Sequence, residues 1–387
     1  MANSLLGQFG RKAKKSLMST QKKRILFVTS GLNLGGAERQ MLLLCQMLET
    51  QVDVQIISLE LEGPLKEKYS KAFPEMYFLD KKNQLSQIIK VQRIVRIYKP
   101  DVVITWLYKA DLIGGIASRL AGNFPVVWSA RNSALPHFSS FKRVILMLFS
   151  RLVPKWIIAN GKPAYDFHKS IGYPTKKMQI IPNALAPWTS SAKSKSRLLQ
   201  KDTSVDKIRI GIAARQVSGK GILEMIEILK LIPQGFPKIE LSLIGQHSIE
   251  SLKWEENNLY GGHIVQTLNS DSDLAEWFAN LDLYVMSSTS WESQPNALIE
   301  AITIGCPFLV SNRIDLDLPI PPQFRFDPKS ASSFQKALIE IVRLDSVELE
   351  ALINLTRIQT LATLSGDLAS ASWLALINES KLKGQYE

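Results

Sequence analysis

Two glutamates that stand eight positions apart, Glu292 and Glu300, carry the strongest chemical signal in the chain. They follow the apolar stretch 283–286, which is typical of a buried strand. If a helix begins soon after Glu292, Glu300 lies about one and a half turns into it, and both carboxylates can face one ligand. Carboxylates accept hydrogen bonds from sugar and ribose hydroxyls, and the amides at a helix start bind a diphosphate. The pattern predicts a sugar-nucleotide site, although such a pair also occurs by chance on a solvated helix.

A pair of cations follows another predicted strand, at 208–213. Arg215 comes just after this strand, and Lys220 stands five positions later, before a predicted helix. Open α/β sheets bind ligands at the carboxyl ends of their strands, so two cations there are expected to hold a departing diphosphate. Because the net charge is +12, a merely basic loop is the alternative. The downstream glutamates favour the ligand site.

Strand-like and helix-like segments alternate on both sides of these residues. The strands are expected at 24–29, 52–59, 76–79, 102–106, 126–129 and 156–159, and then at 208–213, 239–244, 263–267, 283–286 and 307–310. This alternation predicts an α/β fold of two Rossmann-like domains with parallel sheets that face each other across a deep cleft. The glycines at 31, 35 and 36 either let the backbone approach a ligand or form a tight turn.

Five segments, in this order, resemble glycosyltransferase family 4, whose members are retaining enzymes of the GT-B fold that use nucleotide sugars. They are the Gly-rich turn at 31–39, the Trp-Leu-Tyr-x-Ala-Asp stretch at 106–111 with the residues up to 115, the Ile-Ile-Pro-Asn-Ala stretch at 180–184, the loop with Arg215 and Lys220, and the two glutamates. The resemblance spans residues 23–310. Its first two segments are most similar to bacterial enzymes that build surface or exopolysaccharide.

The resemblance implies a glycosyltransferase that moves a sugar, with retention, from a nucleotide diphosphate, expected to be a UDP-sugar, to a lipid-linked or saccharide acceptor. The expected catalytic residues are Arg215, Lys220 and Glu292. The expected donor-binding residues are Gly35, Gly36, Gln266, Thr267, Leu268, Ser293, Gln294, Asn296, Ala297 and Glu300. The expected acceptor-side residues are Trp106, Tyr108, Asp111, Arg131 and Asn132.

The chain departs from the family pattern at several positions. Arg131 and Asn132 stand where many members carry a histidine, and Ser293 replaces the usual glycine after the first glutamate. The stretches 183–186 and 312–317 lack the family's Asn-Gly-x-Asp and Gly-Gly-x-x-Glu patterns. These differences leave the loop geometry near the donor open. His168 is expected to have a structural or surface role.

No metal ion and no cofactor are expected, because the nucleotide sugar is a substrate and the histidines lack partners at ligand spacing. Two Asp-x-Asp matches, at 271–273 and 315–317, are interpreted as a helix cap and a turn. The two cysteines, Cys45 and Cys306, exclude a disulfide scaffold and favour a reducing compartment. Buried, inert positions suit both thiols.

The positive charge is concentrated near the N-terminus, where seven Lys and Arg residues precede the first acid, Glu38. Residues 4–18 are expected to form an amphipathic helix on an anionic membrane or a solvated tail. The basic amphipathic segment 138–155 is expected either to contact the membrane or to pack its apolar face into the core. No transmembrane helix and no nucleic-acid partner are expected. A cytoplasmic protein, peripheral at the inner face of the cell membrane, follows as the prediction.

The predicted domain bounds are a basic arm at 1–22, an acceptor domain at 23–185, a Ser/Lys-rich linker at 186–206, a donor domain at 207–345 and C-terminal helices at 346–387. The family resemblance implies that the last helix crosses back to the first domain. Two other functions remain open. One is a sugar-nucleotide epimerase of the same fold, and the other is a catalytically silent protein that binds a nucleotide sugar.

Overall fold

The computed structural model describes residues 22–80, 83–134, 139–200, 207–215, 217–233, 236–245, 259–260, 262–268, 273–290 and 292–382. The strands form two seven-stranded sheets, one from each half of the chain. Most of the predicted N-terminal arm lies outside the described residues. Residues 201–206 of the predicted linker and Asp271 of the predicted cap also lie outside them.

The first sheet has the strand order β3-β2-β1-β4-β5-β6-β7, and its neighbouring strands run parallel. Its strands are β1 (Lys23–Thr29), β2 (Val52–Ser58), β3 (Tyr77–Phe78), β4 (Val102–Trp106), β5 (Val126–Ala130), β6 (Trp156–Ala159) and β7 (Met178–Ile180). Every residue of β4 and β5 is buried, as expected where helices cover both faces of a parallel sheet.

The first sheet separates the interior of its domain into two cores, one on each face, and helices cover both. Residues of α1 (Gly36–Leu48) and α2 (Lys66–Ala72) pack into one core. Residues of the other four helices pack into or against the second core: α3 (Gln84–Tyr98), α4 (Tyr108–Gly122), α5 (Ser140–Leu152) and α6 (Lys162–Ser170).

The second sheet repeats this arrangement, with the strand order β10-β11-β9-β8-β12-β13-β14. Its strands are β8 (Lys207–Ala213), β9 (Lys238–Ile244), β10 (Leu259–Tyr260), β11 (His263–Leu268), β12 (Leu283–Met286), β13 (Phe308–Ser311) and β14 (Arg325–Phe326). Its helices are α7 (Ile222–Lys230), α8 (Leu274–Asn280), α9 (Asn296–Thr303) and α10 (Ala331–Arg343). The short β10 is antiparallel to β11. The predicted fold class, two Rossmann-like domains with parallel sheets, is confirmed.

Two long helices end the described chain and pack on different domains. In α11 (Ser346–Thr363), Leu349 and Ile353 belong to the core of the second domain. In α12 (Gly366–Leu382), Trp373 belongs to a core of the first domain. The chain therefore returns to the first domain at the short break between the helices.

One segment within the described residues, Ser346–Glu379, is long and apolar enough to cross a membrane by length and composition, with a mean hydropathy of 1.2. It covers most of α11 and α12, which are interrupted between Thr363 and Gly366. Because residues of both helices pack into the domain cores, this segment is only a weak indication of a membrane span.

A buried carboxylate ties the connecting segment to the second sheet. Asp282 is fully buried and accepts hydrogen bonds from the guanidinium groups of Arg197 at 2.5 Å and Arg209 at 2.9 Å. Burial alone would raise the pKa of Asp282, but the hydrogen bonds from the two arginines outweigh it and lower the pKa to about 2. Trp188, also in the connection, stacks on Phe278 with ring centroids 5.6 Å apart.

We expect Asp282→Asn to destabilise the second domain by about 2 kcal/mol, because it removes the buried anion to which two partly exposed guanidinium groups donate charged hydrogen bonds. The native pKa lies below the unfolded value, so this stabilisation is complete above about pH 4 and is lost as the pH falls towards 2. Urea titrations at several pH values measure both effects.

The matched control is Glu240→Gln, which removes the more exposed ion pair with Lys207. We expect that control to cost less than about 1 kcal/mol. Equal effects of the two substitutions would contradict the role of Asp282.

Candidate active site

Lys220 and Glu292 form an ion pair where two neighbouring strands end, in the loops after β8 and β12. The Ser288 hydroxyl donates to the same Glu292 oxygen at 2.9 Å, and the Ser287 hydroxyl donates to the Lys220 carbonyl at 2.9 Å. Gly221 has a φ of +72°, and a Cβ there would lie 1.8 Å from the Ser287 carbonyl oxygen. Glycine therefore lets the two loops approach. The structure brings together these two predicted catalytic residues.

Glu300 lies in α9 and faces the first domain. It is buried, and its Oε1 lies 3.5 Å from Nη2 of Arg39 in α1. Burial raises the pKa of Glu300 above its usual value, and the charge of Arg39 offsets only part of this effect. Its Oε2 is buried and has no hydrogen-bond partner among the described residues. A buried carboxylate oxygen of this kind is suited to accept hydrogen bonds from ligand hydroxyls.

The negative charges of Glu292 and Glu300 both act on the hydroxyl of Tyr284 in β12. Burial raises the pKa of Tyr284, and the negative charges of Glu300 and Glu292 raise it further. The predicted placement of Glu292 in a loop and Glu300 in a helix is what the structure shows.

Arg215 is exposed after β8, and its charge acts on Glu38 of α1 in the first domain. Burial raises the pKa of Glu38, and the positive charge of Arg215 partly offsets this effect. Glu38 stands two positions after Gly36. The predicted donor-site glycines and the predicted catalytic arginine therefore lie on facing edges of the two domains.

Polar side chains join the two domains beside these charged groups. The side-chain amide of Asn296 donates to the Gly36 carbonyl at 3.1 Å, and a Cβ on residue 36 would lie 2.9 Å from that nitrogen. Asn183 donates from its side chain to Asn296 Oδ1 at 2.8 Å and from its backbone to Gln294 Oε1 at 2.6 Å. We call the contacts among these four residues the interdomain seam.

Ser293 extends the seam, because its hydroxyl donates to Asn160 Oδ1 at 2.5 Å. The side chains of three predicted donor-binding residues, Ser293, Gln294 and Asn296, thus connect the domains in this structure. The backbone amides of Asn296 and Ala297 begin α9, where the first turn of a helix has no internal acceptors. Their contact with a diphosphate stays a prediction.

Arg131 lies buried at the first-domain end of the seam. Its guanidinium donates to Ser129 Oγ at 2.5 Å and to Asn183 Oδ1 at 2.9 Å, and it stacks on Trp106 at 4.0 Å from the ring centroid. Burial lowers the pKa of Arg131 to about 9, which leaves it charged at neutral pH. No carboxylate within the described part of the chain pairs with it, and its Nη2 has no partner there.

Two of the predicted acceptor-side residues are internal. The Trp106 indole donates to the Ala37 carbonyl at 2.8 Å, and Thr105 donates to the Asp111 carboxylate at 2.5 Å. Burial raises the pKa of Asp111 well above its usual value. Both side chains support the packing behind the cleft in this structure, and their direct contact with an acceptor stays a prediction.

Tyr108 and Asn132 belong to a short hydrogen-bonded chain that ends at His168. Asn132 hydrogen-bonds to the Tyr108 hydroxyl, which lies 2.9 Å from Nε2 of His168. His168 Nδ1 lies 2.7 Å from the Ala164 carbonyl, so Nδ1 carries the proton and Nε2 accepts. Burial lowers the pKa of His168 to about 4, so it is neutral at pH 7. The interior position of His168 agrees with the expected structural role.

The residues predicted near the base lie at the end of β11. Gln266 and Leu268 line a cavity of about 310 Å³ against α8. Neither Glu292 in the loop after β12 nor Glu300 in α9 lines this cavity. The Thr267 hydroxyl is buried without a partner in the described segments. Asp273 caps α8 by accepting from two backbone amides, as predicted.

Two family models match the chain. Residues 34–187 match the family described as Glycosyltransferase Family 4, and residues 196–351 match the family described as Glycosyl transferases group 1. These matches cover most of both domains, and the chain belongs to the glycosyltransferases of these families. The family predicted from the sequence is thereby confirmed.

Two relatives come from Staphylococcus aureus. CapM, described as a capsular polysaccharide biosynthesis glycosyltransferase, is 25% identical over 252 residues, which are 59% of this chain and 63% of CapM. Protein CapJ is 30% identical over 142 residues, which are 34% of this chain and 35% of CapJ. The matched regions therefore span about a third of CapJ and less than two thirds of CapM.

The fold is similar to that of Anabaena HepE. The crystal structure of HepE in complex with UDP matches with a TM-score of 0.76 at 17% identity, over 92% of this chain and 100% of HepE. The structure of HepE in complex with UDP-glucose matches with the same TM-score at 16% identity, over 92% of this chain and 99% of HepE. This similarity shows the GT-B architecture.

Four residues of the site were not expected to have side-chain roles from the sequence: Glu38, Arg39, Asn160 and Asn183. Glu38 and Arg39 stand in the Gly-Gly-Ala-Glu-Arg segment and Asn183 in the Ile-Ile-Pro-Asn-Ala segment, so the motifs contained a signal. Asn160 follows β6, and only its position at a strand end marks it.

We expect Arg131→Gln to raise the donor KM about tenfold or more, because the loss of the guanidinium frees Asn183 and loosens the seam. Arg131→Lys keeps the charge but lacks the fork that reaches both partners, so it is expected to rescue only part of the loss. Steady-state kinetics measure the changes. The control is Arg93→Gln on α3, and unchanged kinetics in Arg131→Gln would contradict the role.

Proposed function

We propose that this chain transfers a sugar, with retention at the anomeric carbon, from a UDP-sugar to a lipid-linked or saccharide acceptor in bacterial polysaccharide assembly. The observation that carries the proposal is the pairing of Lys220 with Glu292 beside a buried Glu300 whose Oε2 has no partner in the described chain. Membership of the glycosyltransferase families supports the reaction class. The names of CapM and of the HepE complexes support the pathway and the nucleotide.

In the proposed reaction, the acceptor hydroxyl attacks the anomeric carbon from the face that the diphosphate leaves. The bond from the anomeric carbon to the diphosphate oxygen breaks, the bond to the acceptor oxygen forms, and the acceptor proton passes to the leaving diphosphate. No side-chain base is required. Arg215, Lys220 and the amides at the start of α9 stabilise the negative charge that develops on the diphosphate.

The carboxylates have different tasks in this proposal. Glu300 binds the ribose hydroxyls, and its burial makes an unmade hydrogen bond costly, which favours a ligand that supplies donors. Glu292 binds a hydroxyl of the transferred sugar while it holds Lys220 in place. An ammonium group has three donors, so Lys220 can keep Glu292 and still contact a phosphate oxygen.

The proposal also places the protein in the cytoplasm, peripheral at the inner face of the cell membrane, and gives it no nucleic-acid partner. The charge distribution supports the membrane placement. No acidic residue occurs between Asp111 and Asp166, whereas this stretch contains seven Lys and Arg residues. A surface of this sign attracts an anionic leaflet.

We expect Lys220→Ala and Arg215→Ala to lower turnover about a hundredfold or more, with little change in circular dichroism, because each removes positive charge from the leaving group. The assay follows UDP release and the acceptor product from several UDP-sugars. The matched control is Lys230→Ala at the exposed end of α7, which is expected to leave turnover unchanged.

Near-normal turnover in Lys220→Ala would contradict the assigned role. A changed sugar without UDP release would indicate the epimerase, and binding without turnover would indicate the silent protein.

We further propose that transfer needs no metal ion and no cofactor, because side-chain cations and helix amides supply the positive charge at the diphosphate. Among the described residues, no group of three His, Cys, Asp or Glu side chains is arranged to hold a metal. Turnover is therefore expected to be unchanged after treatment with EDTA. A loss of turnover that Mg²⁺ or Mn²⁺ restores would contradict this expectation.

A further inference from the structure

Helix α5 exposes an unusual amount of apolar surface. It contains eight large apolar residues, all of which the structure describes. Among these eight, only Leu146 is fully buried. Phe141 and Leu152 are 73% and 72% exposed, and Val144 and Leu148 are each 47% exposed. Spacings of three and four residues place these four side chains on one face. The result is an apolar stripe that runs the length of the helix, about 20 Å.

Two more exposed apolar residues lie at the carboxyl ends of neighbouring helices. Arg96 of α3 donates to the Leu120 carbonyl at 3.1 Å, and Arg119 of α4 donates to the Val153 carbonyl at 2.7 Å, just after α5. The carboxyl ends of α3, α4 and α5 therefore lie side by side. Ile97 and Leu120, at the first two of these ends, are 80% and 56% exposed. We call these two residues, together with the α5 stripe, the α5 face.

The charged residues of α3 and α5 themselves are all cations, whereas Asp53 and Asp101 lie near Tyr98 at the carboxyl end of α3. Lys142, Arg143 and Arg151 project from α5 itself and are exposed. Helix α3 contributes Lys90, Arg93 and Arg96, and no acidic residue occurs between Asp80 and Asp101. On α5 itself, the apolar stripe is flanked by cations alone, which is the pattern of a helix that lies in an anionic membrane interface.

Charge also decides between possible occupants. A second copy of the chain docked through the same face would bring its cations against these cations. The N-terminal arm carries Arg11, Lys12, Lys14 and Lys15 and no acid, so it too is repelled. A leaflet with anionic headgroups satisfies both parts of the face at once, since phosphates pair with the cations and acyl chains take up the stripe.

We propose that the α5 face docks the first domain on an anionic lipid bilayer. This docking deepens the peripheral placement proposed above and does not depend on the transfer chemistry. The amino end of α5, with Phe141, follows the loop that carries Arg131 and Asn132, so docking through this end brings the acceptor edge of the cleft close to the headgroups. A lipid-linked acceptor then reaches the cleft without leaving the bilayer.

The test is co-sedimentation of the full chain with vesicles of phosphatidylcholine, alone or mixed with phosphatidylglycerol. We expect binding to the mixed vesicles only, with salt weakening it. The double substitution Phe141→Ser/Leu152→Ser is expected to weaken binding about tenfold or more, since both side chains are mostly exposed and their loss leaves the core intact. Arg143→Glu is expected to weaken it similarly.

The matched control is Ile358→Ser/Leu361→Ser, which removes exposed apolar residues from α11 in the Ser346–Glu379 segment. It is expected to bind vesicles like the parent chain. Equal binding to neutral vesicles, an unaffected α5 variant or a control that loses as much binding would each overturn the proposal. So would loss of binding in Lys14→Glu/Lys15→Glu with the α5 variant unaffected, or a parent dimer that the α5 substitutions dissociate.

UDP release with a soluble acceptor separates this proposal from the proposed function. The Phe141→Ser/Leu152→Ser variant is expected to keep the parent rate, because neither residue lies at the site. Vesicle binding without any transfer would leave docking intact and refute the transfer reaction. Transfer without vesicle binding would refute docking alone.

Discussion

The interdomain seam is the constraint on which the rest of the site depends, because its hydrogen bonds join the carboxyl edges of two separately folded sheets. Each sheet has its own core, so the cores alone do not fix where one domain lies on the other. Polar contacts at the sheet edges help to fix this placement. The seam passes from Arg131 through Asn183 to Asn296, and a Cβ at residue 36 would crowd it. Hydrogen bonds are directional, so the seam sets an orientation as well as a distance.

The charges beside the seam are arranged so that cations and acids face each other across the domain boundary. Glu300 of the second domain faces Arg39 of the first, and Arg215 of the second acts on Glu38 of the first. Lys220 and Glu292 pair within the second domain. Because Glu38 and Glu300 are buried, their interactions with these cations are stronger than those of fully exposed pairs. A ligand that carries hydroxyls and a diphosphate would contact groups of both signs, which supports the proposed sugar-nucleotide donor.

Local pattern predicted much of the fold and the chemical character of the site. Glu292 in a loop and Glu300 in a helix followed from periodicity, and the longer strands followed from buried apolar runs. The two-residue strands β10 and β14 have no such run and depend on pairing with a neighbour. The sequence also did not predict which residues contact the site residues. Arg39 and Glu300 come from different domains, and Ser293 meets Asn160 across the cleft. Only the packing of one domain on the other creates these pairs.

Arg131 shows how a single departure from the family pattern changes the edge of the first domain that faces the cleft. Its guanidinium is buried against Trp106 and anchored to Asn183, so the position no longer offers a titratable imidazole to the cleft. A fixed charge takes its place. Because Asn183 also contacts Gln294 and Asn296, this charge is connected through one residue to the segment that follows Glu292 and begins α9. The departure therefore replaces a titratable group with a link between the two domains.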